Sequence, residues 1–376
     1  MRWSRLRHSY PLLSDVPGLA KRVASGLAVL GVALLAAEAA ARLDDFMFAD
    51  VPIAANPDRE FDLTQIEAWG ARGKPYGHYR KWTLNSFGFL GPEMAAAPTR
   101  RRVMVLGASE TFGLFESAGQ NYPAQLQHEL AQRGRSEFEI VNAALPGMAL
   151  PSISAYWEGW AIRFQPELVL IYPSSHFYLS TEVPKPQALQ SAPRQPTPPR
   201  LQSRFAERIK DLVKQLPALR AIRSWFVVSQ ALAGRGPDYL FTTNPDPGRL
   251  AAFEHDLEAL ADAVAGSGAI PVLITHAFQT PSPPAAQDLA ALEYFRIFLP
   301  RAQPAAIPAF VAAARQSVIG LGQRRGWRVI DAAGALSGHR ELFADPVHFN
   351  DVGSRRIAGL ISDELTTLAI TSGGQR

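Results

Sequence analysis

Five short apolar runs, separated by stretches of helical periodicity, set the pattern of this 376-residue chain. They fall at residues 103–106, 138–141, 168–172, 270–274 and 327–330. Mostly apolar runs this short, interrupted by a charge only at Glu139 and Arg328, read as strands. Between them, Pro123 suits the first turn of a helix carrying Leu126 and Leu130, and residues 250–265 repeat apolar positions at helical spacing. Asn350 can cap a last helix whose Val352, Ile357, Leu360, Ile361 and Leu365 turn toward a sheet. Strands alternating with helices predict an α/β fold with a parallel central sheet.

The N-terminal pattern is of another kind. Residues 23–41 are apolar except for Glu38 near their end, and as a helix they span about the thickness of a bilayer. Arg2, Arg5, Arg7, Lys21 and Arg22 precede this stretch, while Asp44, Asp45 and Asp50 follow it. The positive-inside bias then predicts a cytoplasmic basic tail at 1–22, a transmembrane signal anchor at 23–41 and the bulk of the protein on the periplasmic side of the inner membrane. A signal peptide cleaved near the alanines at 39–41 and a buried soluble helix are the alternatives.

A lead-in segment at 42–100 shows little periodicity until residues 82–93, where Gly88 and Gly91-Pro92 signal turns. The main domain is expected at 101–370, with proline-rich insertions near 184–240 and 279–308. Residues 184–199 carry too many prolines for a regular helix or central strand, so they read as a loop or linker. Residues 205–228 are amphipathic, with Ile209, Leu212, Val213 and Leu216 on one side. These insertions are either lids over a site or surface decoration. Hydrophobic residues make up 47% of the chain, ample for a core, and the lack of cysteine excludes disulfides, thiolate metal sites and cysteine nucleophiles. The net charge of +4 is modest and gives no nucleic-acid footprint. No His, Asp or Glu spacing marks a metal site, no cofactor is expected, and His255 and His276 receive no role.

Candidate chemistry lies at two places. In residues 103–113 an apolar run ends in Gly107-Ala108-Ser109, a turn that would lift a serine to the carboxyl edge of the first strand and aim its own N–H at a developing oxyanion. Residues 345–348 place Asp345 three positions before His348, spacing at which a carboxylate can orient an imidazole. Ser109 as nucleophile, His348 as base and Asp345 as orienting acid make a triad. The bland readings are a helix-capping serine, a packing histidine and an Asp-Pro turn.

In these residues the chain resembles the SGNH (GDSL-like) hydrolases over roughly residues 80–368. Gly107-Ala108-Ser109 with Gly113 is similar to the family's first block, residues 141–147 to the second, and Asp345-Pro346-Val347-His348 to the last. The segment 85–91 is similar to one common in membrane-anchored members, with Leu90 where arginine is usual. The resemblance implies a three-layer α/β/α sandwich, flavodoxin-like in its parallel sheet, preceded by the transmembrane helix. It also implies Gly147 as a second oxyanion donor beside Ser109. Two positions depart from the family pattern. Ala108 replaces an aspartate outside the triad, and His176 stands where the third block has its asparagine, so that imidazole, or Ser174 or Ser175, would have to supply the third donor.

The implied activity is a serine-dependent ester hydrolase acting on O-acetyl groups of an exported carbohydrate. A polysaccharide O-acetyltransferase is one alternative. The other is a non-catalytic glycan-binding or assembly protein, favoured by the replaced asparagine, since losing one oxyanion donor costs about two to three orders of magnitude in turnover. The expected partners are a carbohydrate or other acyl-ester substrate and a membrane crossed once, with protein partners left open.

Overall fold

The computed structural model describes residues 16–49, 53–54, 63–183, 185–186 and 203–373. The chain divides into two compact units, one of residues 1–57 with 198–214 and one of residues 58–197 with 215–376.

In the smaller unit, helix α1 (Val16–Ala49) contains a 27-residue stretch, Lys21–Met47, whose most apolar 18-residue window has a mean hydropathy of 2.0, long and apolar enough to cross a membrane. The helix overruns the expected 23–41 span at both ends. Pro17 sits in its first turn, where a missing N–H costs nothing, and no breaker follows. Residues 1–15 of the expected basic tail lie outside the described residues.

The larger unit opens with two small hairpins where the sequence suggested little regularity. Strands β1 (Thr64–Glu67) and β2 (Gly70–Gly73) pair antiparallel, as do β3 (His78–Tyr79) and β4 (Trp82–Thr83). Strands of two to four residues are too short for their alternation to register in a sequence pattern. Beyond them, Asn85 accepts from the N–H groups of Phe87 and Phe89, both at 3.0 Å, and Gly88 turns with φ +83°.

Five parallel strands form the central sheet: β5 (Arg101–Leu106), β6 (Phe138–Asn142), β7 (Leu168–Ile171), β8 (Ile270–Ile274) and β9 (Arg328–Ile330). Each covers one of the five apolar runs to within two residues at either end. Their spatial order is β6-β5-β7-β8-β9, which is 2-1-3-4-5 counted within the sheet, the flavodoxin-like winding. Helices follow the strands as α2 (Ser109–Phe112), α3 (Tyr122–Gln132), α4 (Leu150–Gly159), α5 (Arg204–Gln215), α6 (Pro217–Leu232), α7 (Pro247–Gly266), α8 (Ala286–Phe295), α9 (Ala306–Arg325), α10 (Ala332–Leu336) and α11 (Asp351–Gly373).

Strand side chains alternate between two cores, which makes the three layers. Met104, Leu106, Val169, Ile171 and Leu273 pack with α4, α7 and α9. Val103, Val105, Leu168, Leu170, Val272 and Ile274 pack on the other face with α3, α10 and α11. Full burial of such side chains contributes about 1.5–3 kcal/mol each. Arg102, Glu139 and Asn142 are strand residues that are buried yet polar. Arg102 is buried on β5 because Glu139 of β6 pairs with it at 2.7 Å and the carbonyls of Ala95, Ala96 and Phe164 accept three further hydrogen bonds.

The insertions hold helices. The amphipathic stretch at 205–228 is two helices, broken at Leu216 because Pro217 starts the second and disfavours a helical conformation just before it. Within the smaller unit, Glu38 of α1 caps α5, accepting from Ser203 Oγ at 2.7 Å and from the N–H groups of Arg204 and Phe205 at 3.1 and 3.0 Å. Arg208 reaches Asp44 and Asp45, both at 2.6 Å. Helix α8 lies inside the segment 279–308. Of the proline-rich run 184–199, all but residues 185 and 186 lie outside the described residues.

Candidate active site

The turn after β5 is shaped by close approach. A Cβ at Gly107 would overlap Thr111 Oγ1, which holds Tyr122 Oη at 2.9 Å, and would sit 3.3 Å from the Tyr172 carbonyl. Only glycine lets the chain double back so tightly from strand to helix. Ser109 becomes the first residue of the single turn α2, so its N–H has no acceptor within that helix. Gly113 closes the turn with φ +92°, and Trp82 of the lead-in clasps its carbonyl at 3.0 Å.

At the far end of the sheet, the loop between β9 and α11 carries the other two groups. Asp345 Oδ1 accepts from the N–H groups of Val347 and His348 at 3.0 and 2.8 Å, which fixes the carboxylate. Both its oxygens then face His348 Nδ1, at 2.9 and 2.8 Å. A carboxylate can only accept, so Nδ1 carries the proton and Nε2 presents its lone pair to Ser109 Oγ, 2.8 Å away. Burial pushes the Asp345 carboxyl up, but the His348 hydrogen bond and the two backbone donors outweigh it and hold the group below its ordinary range. For His348, burial opposes the charged form, yet Asp345 outweighs it and raises the imidazole above its usual 6.5. Phe115 covers the imidazole, with ring centroids 4.8 Å apart. An unbroken acid–base–hydroxyl relay therefore links residues separated by 239 positions in the chain.

The second block lies at the end of the adjacent strand. Asn142 donates to the Thr111 carbonyl at 3.1 Å and accepts from Ala144 N–H at 3.2 Å, anchoring the loop in which Gly147 takes φ +80°. Leu90 of the lead-in donates its N–H to the Asn142 carbonyl at 3.2 Å.

His176 falls in the single helical turn Ser175–Leu179 beyond β7, buried, and burial pushes its imidazole down to about 3, so it is neutral. Its Nδ1 faces Glu110 Oε1 at 3.9 Å, and His276 Nε2, beyond β8, approaches the same oxygen at 3.5 Å. Ser175 Oγ meets His276 Nδ1 at 3.1 Å, while Ser174 Oγ is buried without a hydrogen bond. The other oxygen of Glu110 lies 3.3 Å from Ser109 Oγ, a longer contact than the 2.8 Å to His348 Nε2 that takes the hydroxyl's one proton. The sequence does not single out Glu110 and gives His276 no role. The one local signal is a glutamate placed directly after Ser109 in an otherwise small and apolar turn. A shallow depression lined by Ile270, Gln323, Trp327 and Arg328 lies at the opposite, amino-terminal edge of β8 and β9, away from these groups.

No protein-family model matches the chain, and comparison with curated proteins returned no match. Among solved structures it is similar to a lipase/acylhydrolase from Enterococcus faecalis, at 17% identity and a TM-score of 0.42, over 70% of this chain and 95% of that one. It is likewise similar to a catalytic mutant of Axe2, an acetylxylan esterase from Geobacillus stearothermophilus, at 14% identity and a TM-score of 0.42, over 70% of this chain and 93% of that one.

Proposed function

We propose that this chain is a serine-dependent ester hydrolase that removes O-acetyl groups from an exported carbohydrate, held at the inner membrane by α1 with its larger unit on the periplasmic side. The observation that carries the reading is the relay from Asp345 through His348 to Ser109, with 2.8 Å at each link. Ser109 Oγ attacks the acyl carbon while its proton passes to His348 Nε2, and Asp345 stabilises the imidazolium. The carbonyl electrons move onto oxygen, toward the N–H groups of Ser109 and Gly147 and the imidazole of His176. Collapse restores the carbonyl and breaks the bond to the sugar oxygen, which takes the proton from His348. Water then attacks the acetyl-serine by the same route, releasing acetic acid and the free hydroxyl. The carbohydrate substrate and the membrane orientation rest on the resemblance of residues 85–91 to membrane-anchored SGNH members and on the charges flanking α1.

The test is hydrolysis of an aryl acetate by the detergent-solubilised chain, with fluorophosphonate labelling of Ser109. Turnover should fall by about 10⁴ or more in Ser109→Ala and His348→Ala. Equal background rates and no adduct in folded wild type would sink the hydrolase reading and leave the glycan-binding one.

A further inference from the structure

We infer that Glu110, His176 and His276 form a three-ligand site for a divalent transition-metal ion of the zinc type, beside the proposed nucleophile. The three residues come from the carboxyl ends of β5, β7 and β8, and each is more than nine-tenths buried. Glu110 Oε1, His176 Nδ1 and His276 Nε2 all lie within 4.8 Å of one another, and none makes a hydrogen bond. A carboxylate oxygen and two ring nitrogens left unpaired in the interior are costly, and three such atoms converging on one point need a shared partner.

A cation as that partner suits the donor set. Ser175 Oγ lies 3.1 Å from His276 Nδ1, and in the tautomer where the hydroxyl accepts the Nδ1 proton, Nε2 faces Glu110 as a bare lone pair. Metal-bound histidines are oriented in this way by an acceptor on their other nitrogen. The distances of 3.5 and 3.9 Å from Oε1 to the two imidazoles are close to the about 3.4 Å edge of a tetrahedral zinc site, so small side-chain rotations bring all three into range. Two imidazoles and one carboxylate with a fourth position open is a zinc donor set. With Nδ1 on the metal, His176 carries its proton on Nε2 and remains a hydrogen-bond donor. Because the second oxygen of Glu110 lies 3.3 Å from Ser109 Oγ, the ion also offsets a buried negative charge beside the atom that attacks the acyl carbon.

The experiment reads metal content, which is independent of turnover, so it separates this inference from the hydrolase reading. The full chain is produced in medium supplemented with Zn²⁺ or Co²⁺ and purified in detergent without chelators. Wild type should carry about one equivalent, and the cobalt form should show the visible absorption of a tetrahedral N/O site. Glu110→Gln and His276→Ala should lose the ion, while His255→Ala keeps it. Ser175→Ala, which keeps all three ligands, should bind about 10- to 100-fold more weakly. Metal below 0.1 equivalent (roughly a tenfold shortfall) in folded wild type, or the same content in wild type and in Glu110→Gln, would overturn the site and leave a metal-free carboxylate–imidazole cluster.

Discussion

Asp351 accepts both the backbone N–H and the hydroxyl of Ser117, each at 2.7 Å. Ser117 belongs to the loop that continues from the Ser109 turn, and Asp351 opens α11 three residues after His348. The pair therefore ties together the two segments that carry Ser109 and His348, distant in the chain. Asp351→Ala should cost about 1 kcal/mol, the exposed position discounting a charged hydrogen-bond pair. It should lower kcat more than it raises KM, because the base is positioned and no substrate contact is removed. Steady-state kinetics with thermal unfolding would check both; an unchanged kcat would show that the loop is held without this pair.

The raised imidazole sets the pH dependence. His348 must be neutral to accept the Ser109 proton, and Asp345, with Glu110 and Glu116 near it, raises it above 6.5. Therefore kcat/KM should fall as pH drops through that raised value and level off above it. Asp345→Asn removes the main raising partner, so the acidic limb should move to lower pH while the plateau drops by about 10⁴. A limb that stays in place in this variant would assign the titration to another group.

Gly107 and Gly359 should respond oppositely to alanine. At Gly107 the new methyl would overlap Thr111 Oγ1 and break its hold on Tyr122, costing about 1–3 kcal/mol. At Gly359, within α11, a Cβ meets nothing within 4 Å, so alanine should stabilise the helix by about 0.5–1 kcal/mol. Chemical denaturation of the two variants reads the difference directly.

Arg102 should be the most sensitive charged residue in the sheet. Arg102→Ala leaves Glu139 without its closest partner and the Phe164 carbonyl without its donor in the interior, a loss of about 3–5 kcal/mol. Arg101→Ala, which removes a largely exposed pair with Glu167, should cost less than about 1 kcal/mol. Similar midpoints for the two variants would mean that water reaches the Arg102 site.

The parallel sheet and the pairing of Asp345 with His348 are legible in the chain because both are written in short-range patterns. Short, mostly apolar runs mark the strands, so all five strands of the sheet stand out, from Arg101–Leu106 to Arg328–Ile330. Asp345 and His348 lie three residues apart, and a turn of that length brings their side chains together with little help from the rest of the fold. The turn at Gly107 is legible too, although its cause is not. The conformational freedom of glycine suggested it, whereas the close approach of Thr111 requires it.

Tertiary structure alone decided which distant residues meet. Glu110, His176 and His276 converge because the order 2-1-3-4-5 sets the ends of β5, β7 and β8 side by side, and no local spacing encodes that order. The Ser117–Asp351 pair and the buried Arg102–Glu139 pair depend on it in the same way. The short hairpins before the sheet hold together by pairing and packing, since two to four residues are too few to carry a period of their own. Sequence by itself determined the strands, the apolar N-terminal helix and the local Asp345–His348 pairing, since these need only neighbours a few residues away. The sheet's winding decided the neighbours of Ser109, because contacts across tens or hundreds of residues exist only once the strands are in order.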